Sequence, residues 1–130
     1  VVKLVDVFPP RDENSRDLDE KRGNRHELVR WGAIRGRFRD GMEQAKPFVP
    51  NEEDEVAFEL YDVLHTFKRG HRLQLQVQSC LFPFLDRNPQ HFVDNIFEAE
   101  EGDFVRAMHS LCLGNADGSQ VRFSVLPGAQ

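Results

Sequence analysis

An alternation of apolar and polar residues between His71 and Ser79 constrains the fold of this chain more than any other feature. Leu73, Leu75 and Val77 occupy every second position, and Gln fills the positions between them. Because successive side chains of a β-strand point to opposite faces, this period of two predicts a strand with one core face and one polar or sheet-packed face. The rest of the fold has to be arranged around a sheet.

Other segments repeat this pattern. Residues 55–60, with Val56, Phe58 and Leu60 pointing inward, and residues 120–125 have the half-polar alternation that is typical of antiparallel strands. Residues 28–38 and 104–113 are weaker strand candidates, and the composition of 104–113 also suits a short helix. Eleven Phe and seven Pro beside only two Met argue against a helical bundle. We therefore expect an all-β fold.

Turn signals divide these candidate strands. Asp117-Gly118 is a hairpin signal that would join a strand ending near Leu113 to the last one. Residues 11–24 are nearly all charged or polar, which predicts an exposed, mobile loop. About eight short strands at this spacing, without alternating helices, predict a β-sandwich or jelly roll as a single domain over residues 1–130.

Charge and hydropathy exclude two classes of partner. The formal net charge of −5 argues against nucleic-acid binding, because a phosphate-binding surface needs clustered excess Lys and Arg. The sequence has no apolar run near the roughly 20 residues that span a bilayer, so no membrane partner is expected. It also begins inside an alternating apolar pattern at Val1, which indicates a domain cut out of a longer protein.

Residues with catalytic or metal-binding chemistry are present but not in productive patterns. A serine hydrolase nucleophile elbow, Gly-x-Ser-x-Gly, does not occur in the sequence. Cys80 directly follows the alternating strand, which favours a core thiol over a nucleophile, and we expect Cys80 and Cys112 to be buried and free. The wide spacing of His65, His71 and His91 is unlike a zinc site. We predict no catalytic residue, no metal and no cofactor in this chain.

Two polar clusters carry competing interpretations. Asp86 and Arg87 could bind a ligand carboxylate or sugar together; the favoured alternative is that Asp86 caps a turn, Asn88-Pro89 fixes its direction and Arg87 forms a buried or interface ion pair. The alternating Arg35, Arg37 and Arg39 could form an anion site, but nearby Asp40 and Glu43 favour a locally paired ionic face. The residues assigned to a structural or interface motif are Asp86, Arg87, Asn88, Arg37 and His71.

Four motifs follow one another along the chain: Lys3-Leu4-Val5-Asp6-Val7-Phe8-Pro9, Arg35-Gly36-Arg37-Phe38-Arg39-Asp40, Phe67-Lys68-Arg69-Gly70-His71-Arg72, and Phe82-Pro83 followed by Asp86-Arg87-Asn88-Pro89. In this order they resemble the C-terminal domain of the CocE/NonD hydrolases, a family also described as X-Pro dipeptidyl-peptidase-like. The resemblance runs from the first residue to about Pro127. Within the family, Gln76-Val77-Gln78-Ser79, Asn88-Pro89-Gln90 and Asn95-Ile96-Phe97 are most similar to the branch of α-amino acid ester hydrolases and glutaryl cephalosporin acylases.

The resemblance implies a galactose-binding-like jelly-roll sandwich that packs against an upstream α/β-hydrolase domain of the same chain. That domain would hold the Ser-Asp-His triad of an ester or amide hydrolase working through an acyl-enzyme, so no catalytic residue carries over to this sequence. This domain would supply stability, active-site cleft shape or contacts within a homo-oligomer. The resemblance also implies an exported or periplasmic parent. It leaves esterase, acylase and peptidase parents open, and a free-standing carbohydrate or small-ligand binding module is the alternative function.

Overall fold

The computed structural model of this chain describes residues 1–114 and 118–127 and is built on a three-stranded antiparallel sheet. Strand β1 (Val2–Val7) lies in the middle, between β2 (His26–Gly32) and β3 (Arg72–Val77). The other regular elements are one short helix, α1 (Leu18–Lys21), and single 3-10 turns at Gly36–Phe38, Ile96–Glu98 and Glu101–Asp103. Most of the regular structure is strand, which confirms the all-β prediction in its coarse form.

The strand predictions have mixed outcomes. The clearest one is confirmed as β3, and residues 28–38 are split between the end of β2 and a 3-10 turn. Residues 55–60 and 120–125 were expected to be strands but are not strands in the structure, and residues 104–113 form neither strand nor helix. For 55–60 the reason is a contact with a distant strand: a Cβ at Gly32 of β2 would lie 2.5 Å from Leu60 Cδ2 and 3.3 Å from Phe58 Cε2. This segment therefore crosses the face of the sheet and does not pair at its edge.

The core follows the central strand. The buried apolar side chains are Leu4, Val5, Val7 and Phe8, each at most 5% exposed, and the polar Asp6 between them is 2% exposed. Leu4 is opposite Arg30 on β2 whereas Val5 is opposite Leu28, so Val29 is the extra residue of a β-bulge. The bulge lies beside the most deeply buried part of β1.

Strand β3 presents its apolar side differently from the prediction. Leu4 is opposite Leu75 and Asp6 is opposite Leu73, so these side chains share one face of the sheet. Leu73, Leu75 and Val77 are nevertheless 45%, 37% and 52% exposed. The prediction that this side of β3 is core is therefore wrong for the chain on its own, although the same face is buried at Leu4 and Asp6 of the central strand.

The charged segment 11–24 is mostly exposed, as predicted, but it is not without structure. Asp17 caps α1 by accepting a hydrogen bond from the Asp19 backbone N–H at 2.7 Å. The backbone closes the segment where Asn24 donates to the Pro9 carbonyl at 2.9 Å. Gly23 is required there, because a Cβ would come within 2.5 Å of the Arg11 nitrogen and the Pro9 oxygen.

The predicted hairpin near the C-terminal end of the chain cannot be compared in full with the structure. Asp117, half of the predicted hairpin signal, lies outside the described residues, while Ser119 donates a backbone hydrogen bond to the Cys112 carbonyl at 2.7 Å. In the part of the chain that the structure describes, no helix has the length and apolar character needed to cross a membrane.

Candidate functional site

A buried carboxylate with two histidine partners is the most organised polar site in the described structure. Asp6, on β1, lies 2.9 Å from His65 Nε2 through one oxygen and 2.9 Å from His71 Nδ1 through the other. His71 stands immediately before β3. His65 lies between the 55–60 segment, which crosses the sheet, and β3. An ionised carboxylate can only accept hydrogen bonds, so both ring nitrogens donate to it when Asp6 is charged.

The rings around Asp6 are held by aromatic neighbours. The side chain of His71 is only 4% exposed and its ring centroid is 4.4 Å from that of Phe8, while His65 lies 4.8 Å from Phe67. The Arg25 guanidinium covers Phe8 at 4.6 Å. This arrangement offsets the cost of burying Asp6 and fastens the segment around His65 and His71 to the central strand.

Asp6, His65 and His71 are residue types that can ligate a metal ion, but they are not arranged around a common point as metal ligands are. No group of three or more His, Cys, Asp or Glu residues within 1–114 and 118–127 is placed to hold a metal ion. Sequence analysis selected His71 but missed Asp6 and His65. The available signal was an acidic residue inside an otherwise apolar run, Val5-Asp6-Val7, because such a residue needs buried partners.

A second ion pair lies next to this site. Lys68 forms a salt bridge with Asp19 of α1, which joins the charged 11–24 segment to the approach of β3. The hydrogen bond with Asp19 raises the pKa of Lys68, and the same contact lowers the pKa of Asp19. Both groups are therefore charged partners at neutral pH.

The three alternating arginines do not form a stripe on one strand. The 3-10 turn at Gly36–Phe38 sends their side chains to different segments. Arg35 pairs with Asp86 at 2.5 Å, and Arg37 Nη1 donates to the Val93 carbonyl at 2.7 Å and covers Phe92. The predicted local partner Asp40 pairs instead with Lys46, at 2.9 Å.

Arg39 is the most buried of these cations. Its side chain is 1% exposed, pairs with Asp54 at 2.6 Å and donates to the carbonyls of Gly36 and Lys46. The hydrogen bond from Arg39 lowers the pKa of Asp54. Arg39 thus anchors the 46–54 segment beside the sheet, although the sequence pattern grouped it with its neighbours.

The structure separates the residues of the predicted 86–88 cluster. Asp86 binds Arg35, while the Arg87 guanidinium lies 4.0 Å above the ring of Phe104. Asn88 donates from Nδ2 to the Ser79 carbonyl at 2.9 Å, and its Oδ1 accepts from the Gln90 backbone N–H at 3.0 Å. The turn is capped by Asn88 and not by Asp86. Asp86 and Arg87 contact different partners, so they do not form one binding pair.

Both cysteines are free thiols, as predicted, but they are not both buried. Cys80 is half-buried and Cys112 is exposed. Cys112 Sγ lies 3.4 Å from Glu53 Oε1, and this contact raises the pKa of the Cys112 thiol. A raised thiol pKa disfavours the thiolate, which is the reactive form of cysteine.

Comparisons with known proteins agree over most of the chain. Residues 1–122 match the model of the family described as the X-Pro dipeptidyl-peptidase C-terminal non-catalytic domain. None of the curated proteins matches the sequence.

Two solved hydrolytic enzymes are similar to this chain in sequence and structure. An α-amino acid ester hydrolase is 42% identical with a TM-score of 0.69 over 80% of this chain. An aminopeptidase from the marine sediment archaeon Thaumarchaeota archaeon is 40% identical with a TM-score of 0.69 over 79%. The match spans only 16% of the length of each of these proteins.

Proposed function

The chain belongs to the family of X-Pro dipeptidyl-peptidase C-terminal non-catalytic domains, and from this membership we propose that it stabilises the α/β-hydrolase domain of a larger serine hydrolase and shapes its active-site cleft. The reaction itself would belong to the upstream domain of the same protein. There a serine would attack an ester or amide to form an acyl-enzyme, with histidine as general base. Oligomer contacts are a further part of the proposed role.

The observation that carries this proposal is the surface area of the chain. It exposes 11284 Å², whereas a compact monomer of 15.1 kDa exposes about 7,100 Å². An obligate interface that buries about 2,000–5,000 Å² in total takes about half of that from each partner, so one such interface would cover part of this excess. A domain that packs against a neighbouring domain would cover part of this excess, which favours the proposal over a free-standing binding module.

The jelly-roll form of the fold is also a proposal. Residues 58–65 lie over β2 and β1, where Arg30 donates to the Asp62 carbonyl at 2.5 Å and His65 contacts Asp6. On this proposal, the segment would be the start of a second layer over the sheet.

The proposal is tested by separating the domain from the protein that the complete gene encodes. The 130-residue chain should not turn over p-nitrophenyl esters or amino acid methyl esters. The complete protein should do so, and replacing the serine of its Gly-x-Ser-x-Gly motif by alanine should abolish the activity. Deleting residues 1–130 should lower the thermal unfolding temperature of the remaining hydrolase domain. Turnover by the 130-residue chain alone, or a hydrolase domain indifferent to the deletion, would refute the proposal.

A further inference from the structure

A cleft of about 200 Å³ lies between the charged 11–24 segment and the approach of β3, and we call it the His71 cleft. Its volume corresponds to roughly seven water molecules. Sites for drug-sized ligands are larger, at about 300–1,000 Å³. The cleft therefore has the size of a ligand with only a few heavy atoms. Its polar lining residues are Asp17, Asp19, Glu20, Lys68, Arg69 and His71.

His71 presents an unpartnered nitrogen to this cleft. Its side chain is only 4% exposed, and its Nδ1 is engaged with Asp6 at 2.9 Å. Because Nδ1 donates to the ionised carboxylate, Nε2 of the neutral imidazole is a hydrogen-bond acceptor. Within residues 1–114 and 118–127, Nε2 has no hydrogen-bond partner and is not among the fully buried unpaired side-chain atoms, so it reaches the surface at the cleft. A ligand group that donates a hydrogen would satisfy it.

Two of the charges in the His71 cleft neutralise each other, and one cation is left over. Lys68 and Asp19 form the salt bridge described above. Arg69 is exposed and has no ion-pair partner within the described residues. Its guanidinium is therefore available to an anionic group in the cleft.

Two carboxylates of the cleft are also only partly used. One oxygen of Asp17 accepts from the Asp19 backbone N–H, and one oxygen of Glu20 accepts from the Ser15 hydroxyl. The other oxygen of each has no hydrogen-bond partner in the part of the chain that the structure describes. Together with Nε2 of His71, these oxygens form a set of acceptors without donors.

The unused groups select a ligand that carries both charges. An ammonium group has three donors and no acceptor, which suits the two carboxylates and Nε2 of His71. A carboxylate suits the forked donors of the Arg69 guanidinium. A ligand with one charge only would satisfy one of these groups and be repelled by the other.

We propose that the His71 cleft binds a free α-amino acid, with its ammonium group at His71 and the two carboxylates and its carboxylate at Arg69. The ligand would connect the charged 11–24 segment to the approach of β3. This inference goes beyond the supporting role proposed above and does not depend on it.

Hydrogen exchange of the complete protein tests the site, with glycine and L-alanine as probes. A ligand that bridges the cleft stabilises α1, so a probe at about ten times its dissociation constant should slow exchange of the α1 amides about tenfold. Arg69→Gln should abolish this protection. The matched control is Arg72→Gln, because Arg72 is also exposed but does not line the cleft, and it should keep the protection. Measuring exchange at α1 separates this site from any amino acid bound in the catalytic domain.

Acetate and methylamine complete the experiment, because each carries only one of the two charges. Neither should protect α1 at the same concentration. Protection by acetate alone would reduce the site to an anion site, and protection by methylamine alone would reduce it to the acidic segment; either result overturns the inference. So would the absence of protection by the amino acids in the wild type, or protection that persists in Arg69→Gln.

Discussion

Strands β1 and β3 have similar alternating sequences and opposite environments. The apolar residues of β1 near its end are at most 5% exposed, whereas Leu73, Leu75 and Val77 of β3 are all more than a third exposed. The two strands are hydrogen-bonded neighbours, so backbone pairing does not explain the difference. Position does: β1 is enclosed by a strand on each side, while β3 lies at the edge of the sheet. Periodicity identifies a strand, but the neighbours decide which face is covered.

The sharpest test of this contrast is a pair of truncations. Leu4→Ala should lower the free energy of unfolding by about 2–5 kcal/mol, because it leaves a cavity in the enclosed strand. Leu75→Ala, directly opposite, should cost clearly less in the 130-residue chain, because its side chain is already partly in water. Urea denaturation of both variants measures the difference. Equal losses would show that the two strands are equally buried.

The next test addresses the polar part of the face that the two strands share. Asp6→Asn should lower the free energy of unfolding by about 1–3 kcal/mol. Each oxygen of Asp6 contacts a different histidine, and the substitution replaces one oxygen by an NH2 group that cannot accept a hydrogen bond from its histidine. Urea denaturation measures this loss. Asp62→Asn is the matched control, since Asp62 is exposed and its contact with Arg30 uses the backbone carbonyl. A control that costs as much as Asp6→Asn would contradict the assigned role.

A third test uses an ion pair outside the sheet, between the buried Arg39 and the exposed Asp54, as a reference for both strands. Because Arg39 lowers the pKa of Asp54 in the folded state, the pair stabilises the fold above the unfolded-state pKa of about 3.9. That contribution should be lost as the pH falls through the lower, folded-state pKa. Thermal unfolding between pH 6 and pH 2 should show a smaller acid-induced loss for Asp54→Asn than for the wild type. An unchanged acid profile would mean that the pair is not formed.

The smallest effect is expected at the entrance to β3. The raised pKa of Lys68 means that its pair with Asp19 stabilises the fold below the unfolded-state pKa, and is lost as the pH rises through the folded-state value. That contribution is fully present at pH 7, but it is small because the Lys68 side chain is 61% exposed. Lys68→Gln should change stability only slightly, and salt should diminish even that change. Thermal unfolding at low and high ionic strength measures it. A large loss that salt does not affect would indicate a packing role for Lys68.

The sequence was sufficient for the family and for the principal strand. The ordered motifs pointed to the family that residues 1–122 match, and the alternation ending at Val77 located β3. Both signals are local or linear, so one sequence is enough to read them. The resemblance also led correctly to a non-catalytic domain.

The errors arise where distant segments meet. The contact of Asp6 with His71 joins residues 65 positions apart, and no periodicity encodes such a pairing. Arg35, Arg37 and Arg39 alternate like strand residues, but a 3-10 turn redirects them to separate partners. Residues 55–60 have a strand's alternation and lie across the sheet, because side chains of this segment pack against Gly32.

The contacts of Asp6 also have a kinetic meaning. They close loops of 59 and 65 residues on a single side chain, and closing loops of that length costs conformational entropy before any contact repays it. Proteins dominated by such non-local contacts fold slowly. His71 directly precedes β3, so its contact with Asp6 ties the entry of β3 to the central strand, and the formation of this contact should accompany the docking of β3 on β1.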